Sequence, residues 1–171
     1  DIYKDLDAVK TAFKRLVNLV PRRGHILAYD ASVNVSECVS KAFCPVERYG
    51  FGEQAAWRAI DLKFESDRTT WSVLKDGKHW ADFDFPLAGS YNVLNATGAA
   101  ALASKYGVAP DAIARGLKTF KSVKRRLEVK AEIGGVTIND DFAHHTPANR
   151  ETLQALRFPY PGRKLWAIIE P

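Results

Sequence analysis

The chain has 171 residues, of which 46% are hydrophobic and 26% are charged, and this composition is typical of a soluble globular protein that can bury a core. Its formal net charge is +5, but outside residues 121–126 the basic side chains are dispersed among acidic ones, which argues against a nucleic-acid-binding surface. No apolar run approaches the ~20 residues of a membrane span and no signal-peptide pattern is present, so we expect a cytoplasmic protein without membrane contact.

The sulfur-containing residues give two further expectations. Cys38 and Cys44 have neither the C-x-x-C spacing nor the nearby histidine of a metal or redox site, so we expect reduced core thiols. The sequence contains no methionine, so residue 1 is not expected to be a translation start. We interpret the chain as a piece of a longer protein. The alternative is that modified methionine residues are missing from the sequence.

The first quarter of the chain alternates between helical and strand patterns. Apolar residues recur at steps of three and four before Pro21, which predicts an amphipathic helix. The predicted elements are a helix at about 4–20, a strand at 25–29, a helix from a Ser32 or Asn34 cap to Ala42, and a strand at 46–49. This order favours an α/β protein with a parallel sheet.

A period-two pattern follows and predicts an antiparallel meander. Its runs lie at 57–64, 69–74 and 79–85; residues 65–68 separate the first two, and the Asp76-Gly77 turn precedes the third. The tryptophan and phenylalanine residues of these runs are expected to form one buried face rather than a platform for stacking a ligand.

An alanine-rich helix is predicted from Ser90 to Lys105, and two asparagines lie in its first turns. Asn92 and Asn95 are three residues apart and therefore on one face. Side-chain amides there can pair with the edge of an adenine. Asparagine before a helix is also a common N-cap, and the spacing alone favours that alternative.

The last third of the chain carries the other polar clusters. After a helix at 110–120, Lys124-Arg125-Arg126 suits an anion of high charge density, or else a solvated linker. A hinge near Ser122 would divide the chain into residues 1–122 and 123–171. Strands are predicted at 127–133 and 136–138 around a Gly134-Gly135 turn, then a helix from Thr146 to Leu156 and a strand at 165–169, which together make a β–α–β unit.

The second of these strands ends in Asn139-Asp140-Asp141-Phe142-Ala143-His144-His145. Ligands of open α/β sheets bind at the carboxyl ends of strands, so the acids and imidazoles predict a nucleotide site. The alternative for the histidines is a helix N-terminus with exposed imidazoles. A metal site is disfavoured, because adjacent side chains diverge.

Three motifs in this order resemble those of the Mur ligases, the ATP-dependent amide-bond enzymes of peptidoglycan synthesis. They are G-x-x-N-x-x-N-A at 89–96, F-x-x-V-K-R-R-L-E at 120–128 and N-D-D-F-A-H-H at 139–145. The resemblance extends over essentially the whole chain. The D-D-F-A-H-H form, the opening D-I-Y-K-D-L and the closing A-I-I-E-P are most similar to the branch that attaches a tripeptide.

The resemblance implies a role for each matching residue. Asn95, with Asn92 beside it, would recognise adenine. Arg126, with Arg125 as its neighbour, would contact ATP phosphate and supply catalytic charge. Asp140 would hold the ribose, and Asp141 beside it would also belong to the nucleotide site. His144 and His145 would lie near the nucleotide and the substrate.

The resemblance also implies a fold and a reaction. The fold would be part of a central ATPase domain, with a mixed sheet, helices and an antiparallel meander, followed by the first β–α–β of a Rossmann-like C-terminal domain. The longer enzyme would use ATP and Mg²⁺ to join UDP-N-acetylmuramate to the murein tripeptide L-Ala-γ-D-Glu-meso-diaminopimelate in peptidoglycan recycling. The sequence does not indicate an oligomeric state. A sibling ligase that uses L-alanine, and a non-catalytic nucleotide- or nucleic-acid-binding module, are the alternatives.

The chain departs from the family pattern at several points. Tyr91 replaces a histidine, and the order His145-Thr146-Pro147 replaces H-H-P-T. No G-x-x-x-x-G-K-[ST] occurs, and the family's Mg²⁺ ligands precede the segment that matches residues 1–3. The amine pocket would lie largely beyond Pro171. We therefore expect this segment alone to be inactive.

Overall fold

The computed structural model describes residues 2–65 and 68–169, which contain five helices and seven strands. The helices are α1 (Leu6–Leu19), α2 (Val33–Val39), α3 (Ser90–Lys105), α4 (Pro110–Lys118) and α5 (Thr146–Arg157). The strands are β1 (Ile26–Tyr29), β2 (Val46–Gly50), β3 (Trp57–Phe64), β4 (Thr69–Lys75), β5 (Lys78–Phe85), β6 (Glu128–Ile133) and β7 (Val136–Asp140). The predicted order of elements is confirmed as far as α5. Part of the predicted separator at 65–68, as well as Asp1, Glu170 and Pro171, lies outside the described residues.

Five strands form one mixed sheet in the order β1-β2-β3-β4-β5. The pairs β1–β2 and β2–β3 are parallel, whereas β3, β4 and β5 form the predicted antiparallel meander. The β4–β5 turn places Asp76 and Gly77 at φ values of 50° and 77°, the left-handed geometry that tight hairpins favour. The mixed sheet with a meander is therefore confirmed.

The core lies between this sheet and α3. Small residues on one side of α3 let the helix approach the sheet, and Gly98 faces the ring of Tyr49, where an added Cβ would lie 3.2 Å from the ring. Trp71 Nε1 donates to Thr97 Oγ1 over 3.1 Å between two buried side chains, which satisfies both polar groups. The buried aromatic residues of the meander confirm the predicted apolar face, and they are Trp57, Trp71, Phe83 and Phe85.

Helix α1 packs beside α2 and starts two residues later than its apolar pattern, because Asp5 caps it by accepting from Ala8 N over 2.8 Å. Ser32, rather than Asn34, caps α2 by accepting from Val35 N over 3.2 Å. Cys38 and Cys44 are free and buried, as predicted. No helix within the described ranges combines the length and apolar character needed to cross a membrane.

The residues after α4 contain a two-stranded sheet that is separate from the larger one. Strands β6 and β7 pair as an antiparallel hairpin around Gly134 and Gly135, and α5 follows. The strand predicted at 165–169 was wrong, because residues 163–169 have no regular secondary structure. A buried strand needs a neighbour for its backbone groups and cover for its faces, and Trp166 and Ile168 are instead 80% and 100% exposed.

Helix α5 and the residue after it contact the carboxyl end of β3 and the turn before α3. The rings of Phe158 and Phe64 stack with centroids 4.1 Å apart, and an added Cβ on Gly89 would lie 3.0 Å from Ala155 Cβ. Ala155 is only 1% exposed, so this small contact is tight. The helix therefore brings the loop before it, residues 139–145, to the amino end of α3.

Candidate nucleotide-binding site

The amino end of α3 carries the two predicted base-binding amides. Gly89 occupies the N-cap position with φ 101°, and no side chain caps the helix. Asn92 and Asn95 lie inside the helix, so the N-cap alternative for them was wrong. The positive φ of Gly89 explains the difference, because it starts the helix before either asparagine.

The two amides have different surroundings. Asn92 Nδ2 donates to Ala88 O over 2.7 Å, which holds this side chain against the turn before the helix. Asn95 is exposed, and its amide makes no hydrogen bond within the described part of the chain. Asn95 thus keeps both its donor and its acceptor available, as the pairing with adenine requires.

Asp140 ends β7 and lies among basic side chains. Its Oδ2 is 3.8 Å from Arg125 Nε and 3.9 Å from Lys130 Nζ, and its side chain is 35% exposed. A ribose hydroxyl could donate to this partly exposed carboxylate. Asp140 lies at the carboxyl end of a strand, and its contact with ribose stays a prediction.

Asp141 is bonded differently from its neighbour. Its Oδ2 accepts from Leu127 N over 2.8 Å, while its Oδ1 accepts from Ala143 N over 2.8 Å and from Thr152 Oγ1 over 3.3 Å. A carboxylate has roughly four lone-pair sites, so these three bonds occupy most of them. Asp141 binds protein groups, and its predicted contact with nucleotide stays a prediction.

The basic run is attached to the same loop. Arg125 O accepts from Phe142 N over 2.9 Å, and the Arg125 guanidinium lies 5.0 Å from the centre of the Phe142 ring. Arg125 N donates to Glu128 Oε2 over 2.9 Å. This bond, together with Lys130, holds the pKa of Glu128 below its ordinary value. The backbone of the run is therefore fixed at several points, unlike that of a solvated linker.

Arg126 lies between two fixed residues but has a free side chain. It is exposed, and its guanidinium makes no hydrogen bond or ion pair within residues 2–65 and 68–169. An unpaired guanidinium presents a planar fork of donors that can bond two phosphate oxygens. The side chain is thus available for the predicted phosphate contact.

His144 and His145 lie at the amino end of α5, and both are exposed. His144 Nδ1 is 2.9 Å from Phe142 O. The ring of His144 meets those of Phe142 and His145 edge to face, at 5.1 and 4.8 Å. The interpretation as a helix N-terminus with exposed imidazoles is confirmed, while their contact with substrate stays a prediction.

Tyr91 is a half-buried residue in the first turn of α3, and the sequence marked it only as a departure. An added Cβ on Gly89 would lie 2.8 Å from its ring. Burial and the nearby carboxylate of Asp141 raise the pKa of the Tyr91 hydroxyl, whereas Asn92 and Arg126 lower it. The Tyr91 hydroxyl therefore lies within the electrostatic influence of one residue from the second motif and one from the third. Its position in the first turn of α3, next to Asn92, was the available signal.

A cleft of about 550 Å³ opens between α5 and the central sheet, beside these residues. Its size falls in the range of small-molecule sites. Its lining residues are Phe51, Leu62, Phe64, Gly89, Ser90, Glu151, Gln154, Ala155, Arg157 and Phe158. Among the described residues no three His, Cys, Asp or Glu side chains are grouped to hold a metal ion, so we assign no Mg²⁺ ligand here.

Comparisons with known proteins agree on one family. Residues 1–103 match the family profile described as Mur ligase middle domain. The whole chain is 38% identical to the UDP-N-acetylmuramate–L-alanyl-gamma-D-glutamyl-meso-2,6-diaminoheptandioate ligase of Escherichia coli and 33% identical to the UDP-N-acetylmuramate–L-alanine ligase of Clostridium acetobutylicum, and it spans 37% of the length of each. The crystal structure of a murein peptide ligase from Psychrobacter arcticus matches with a TM-score of 0.68 and 29% identity over 99% of this chain and 36% of that one.

Proposed function

The chain belongs to the Mur ligase family, and we propose that it is part of an ATP-dependent ligase that joins UDP-N-acetylmuramate to L-Ala-γ-D-Glu-meso-diaminopimelate in peptidoglycan recycling. The observation that carries the proposal is the bonding between the second and third motifs, in which Asp141 Oδ2 accepts from Leu127 N over 2.8 Å and Arg125 O accepts from Phe142 N over 2.9 Å. Gly89, which opens the first motif, lies against Ala155 in the helix that follows the third motif. The choice of acceptor is supported by the 38% identity of the chain to a ligase whose name includes this peptide.

In the proposed reaction, the lactyl carboxylate of UDP-N-acetylmuramate attacks the γ-phosphate of ATP and releases ADP. The tripeptide amine then attacks the acyl phosphate and releases inorganic phosphate. Asn95 would pair with adenine, Asp140 would accept from ribose hydroxyls, and Arg126 would stabilise charge on the transferring phosphoryl group. Phosphoryl transfer depends mainly on positioning and on charge stabilisation, which are the two contributions that these side chains can make.

We further propose that the domain boundary lies near Ser122, with residues 1–122 in the central ATP-binding domain and 123–171 in the start of the C-terminal one. Arg126 then belongs to the domain that follows the boundary, and Asn95 to the one before it. Closure of the two domains on ATP would complete the site and exclude water. The contacts of Ala155 with Gly89 and of Phe158 with Phe64 would belong to that interface.

The proposal assigns ATP and Mg²⁺ to the parent enzyme, meaning the longer protein of which this chain would be part. When bound, Mg²⁺ would neutralise phosphate charge, and its ligands would come from outside the described residues. We expect the parent to act in the cytoplasm, where its nucleotide substrates occur, and we expect the segment alone to show no turnover.

The test is an acceptor assay on the purified parent enzyme with ATP and UDP-N-acetylmuramate. We expect kcat/KM for the tripeptide to exceed that for L-alanine by at least about a hundredfold, because a pocket that bonds peptide groups rejects an acceptor lacking them. Preference for L-alanine would instead establish the sibling activity that the 33% identical relative carries in its name. Acceptor-stimulated ADP release by the 171-residue segment alone would contradict the expected lack of turnover.

A further inference from the structure

We propose that Asp141 is a positioning residue that fixes the Arg125–Leu127 turn and thereby aims Arg126 at the nucleotide. This inference rests on the proposed function, because it concerns how the phosphate-binding arginine is held. It also departs from the expectation that Asp141 contacts ATP itself.

The turn adopts an unfavourable backbone conformation. Arg125 and Leu127 have φ values of 60° and 48°, in the left-handed region that side chains with a Cβ rarely adopt. Leu127 has a bulky side chain, for which such a φ is a genuine outlier. Conformations of this kind persist only where the surrounding structure enforces them, and they concentrate at functional sites.

Asp141 supplies the enforcing contact at Leu127. One of its oxygens accepts from Leu127 N over 2.8 Å, and the other accepts from Ala143 N and Thr152 Oγ1. A single carboxylate therefore links the turn, the loop after β7 and helix α5. Hydrogen bonds to a charged acceptor are stronger than those between neutral groups, so this link can hold the turn.

The geometry determines where Arg126 points. Both of its neighbours have fixed backbones, since Arg125 O also accepts from Phe142 N over 2.9 Å. The Arg126 side chain itself has no partner within the described residues that could orient it. Loss of the bond to Leu127 would let the turn relax, and a shift of about 1 Å in a group that contacts a transition state can lower a rate by about a hundredfold.

The experiment is a double-mutant cycle in the parent enzyme, with Asp141→Asn and Arg126→Lys. We expect Asp141→Asn alone to lower kcat by about tenfold or more and to change the KM for ATP by less than about threefold. In the Arg126→Lys background, the same substitution should lower kcat by less than about threefold, because its effect acts through the arginine. If Arg126→Lys is itself impaired and the two substitutions lower kcat by independent factors that multiply, the positioning role of Asp141 is overturned, whereas the role of Arg126 is not. A fully active Arg126→Lys would overturn both this inference and the proposed role of Arg126.

Two further variants separate positioning from general stability. Leu127→Gly adopts the left-handed φ of 48° without strain, so in this background we expect Asp141→Asn to lower kcat by less than it does with Leu127 in place. Thr152→Val removes only the longest of the three bonds, and we expect its kcat to stay within about threefold of the unmodified enzyme. Amide exchange at Leu127 should be faster in Asp141→Asn and unchanged in Thr152→Val. Unchanged exchange in Asp141→Asn would overturn the inference.

Discussion

The two parts of the chain are stabilised in different ways. The sheet of β1 to β5 and helix α3 enclose a core in which Trp57, Val73 and Val93 are fully buried. In residues 123–169, among those described, Ala155 is the only buried side chain, and Val136 and Trp166 are 61% and 80% exposed. The first part therefore depends on apolar burial, whereas the second depends on a hydrogen-bonded turn and the contact of α5. That difference suits a unit that moves to complete a site, because weakly anchored elements open most easily.

Among the substitutions that test this contrast, that of a core tryptophan should have the largest effect on stability. Trp71→Ala is expected to lower the free energy of unfolding of the 171-residue chain by about 3–5 kcal/mol, because it leaves a cavity and an unpaired Thr97 hydroxyl. Urea unfolding followed by circular dichroism measures it. The matched control is the exposed Trp166→Ala, with an expected change within about 0.5 kcal/mol. Comparable losses at both positions would contradict the contrast.

The base-binding amide should affect function without affecting the core. Asn95→Ala in the parent enzyme is expected to raise the KM for ATP by an amount equivalent to about 1–3 kcal/mol, because a buried adenine edge would lose its donor and acceptor. Thermal stability should be unchanged, since the Asn95 side chain is exposed and makes no hydrogen bond in the described part of the chain. A lower melting temperature with normal ATP dependence would assign Asn95 a structural role.

The contact of α5 with the sheet should contribute less than the core does. Phe158→Ala removes the ring stacked on Phe64 and is expected to reduce stability by about 1 kcal/mol beyond the area it exposes. Proteolysis within residues 119–127 should become faster, because α5 would leave the sheet more often. Phe158→Leu retains apolar area but loses the ring stacking, so its stability should lie between that of the unmodified chain and that of Phe158→Ala. An unchanged cleavage rate would show that α5 is held by other contacts.

The smallest expected effect concerns an ion-pair cluster on the first part. Lys10 and Lys14 each bond to Glu37 over 2.7 Å and lower its pKa from 4.5 to about 2. The folded pKa is below the unfolded one, so this stabilisation is fully present above about pH 4.5 and is lost as pH falls through about 2. Glu37→Gln should therefore lower the melting temperature slightly near neutral pH, and less at low pH or in high salt. A difference that is independent of pH would contradict the assignment.

The sequence predicted what depends on local patterns. Alternation of apolar residues and the Asp76-Gly77 turn were enough to predict the meander, and helical spacing was enough for α1 and α3. The strand at 165–169 was wrong because periodicity cannot tell whether a neighbouring strand is present. The cap alternative for Asn92 and Asn95 was wrong because Gly89 is the N-cap residue, so both asparagines lie inside the helix.

The bonding within the site could not be predicted from spacing. Asp141 bonds to Leu127, which is 14 residues away along the chain, and to Thr152, which is 11 residues away. These hydrogen-bond partners depend on how the hairpin of β6 and β7 packs against α5, and the sequence pattern does not predict that packing. Tyr91 was noted only as a departure for the same reason, since its importance comes from the groups that surround it.

The most direct test of the central claim is the kinetics of Arg126→Lys in the parent enzyme, measured beside Arg125→Lys. Lysine keeps the charge but loses the planar fork that bonds two phosphate oxygens. If Arg126 stabilises charge that develops during phosphoryl transfer, kcat should fall by at least about tenfold while the KM for ATP changes little. Arg125→Lys should be milder, because Arg125 already pairs with Asp140 and Phe142. Equal and small effects at both positions would contradict the account and return the basic run to a solvated linker.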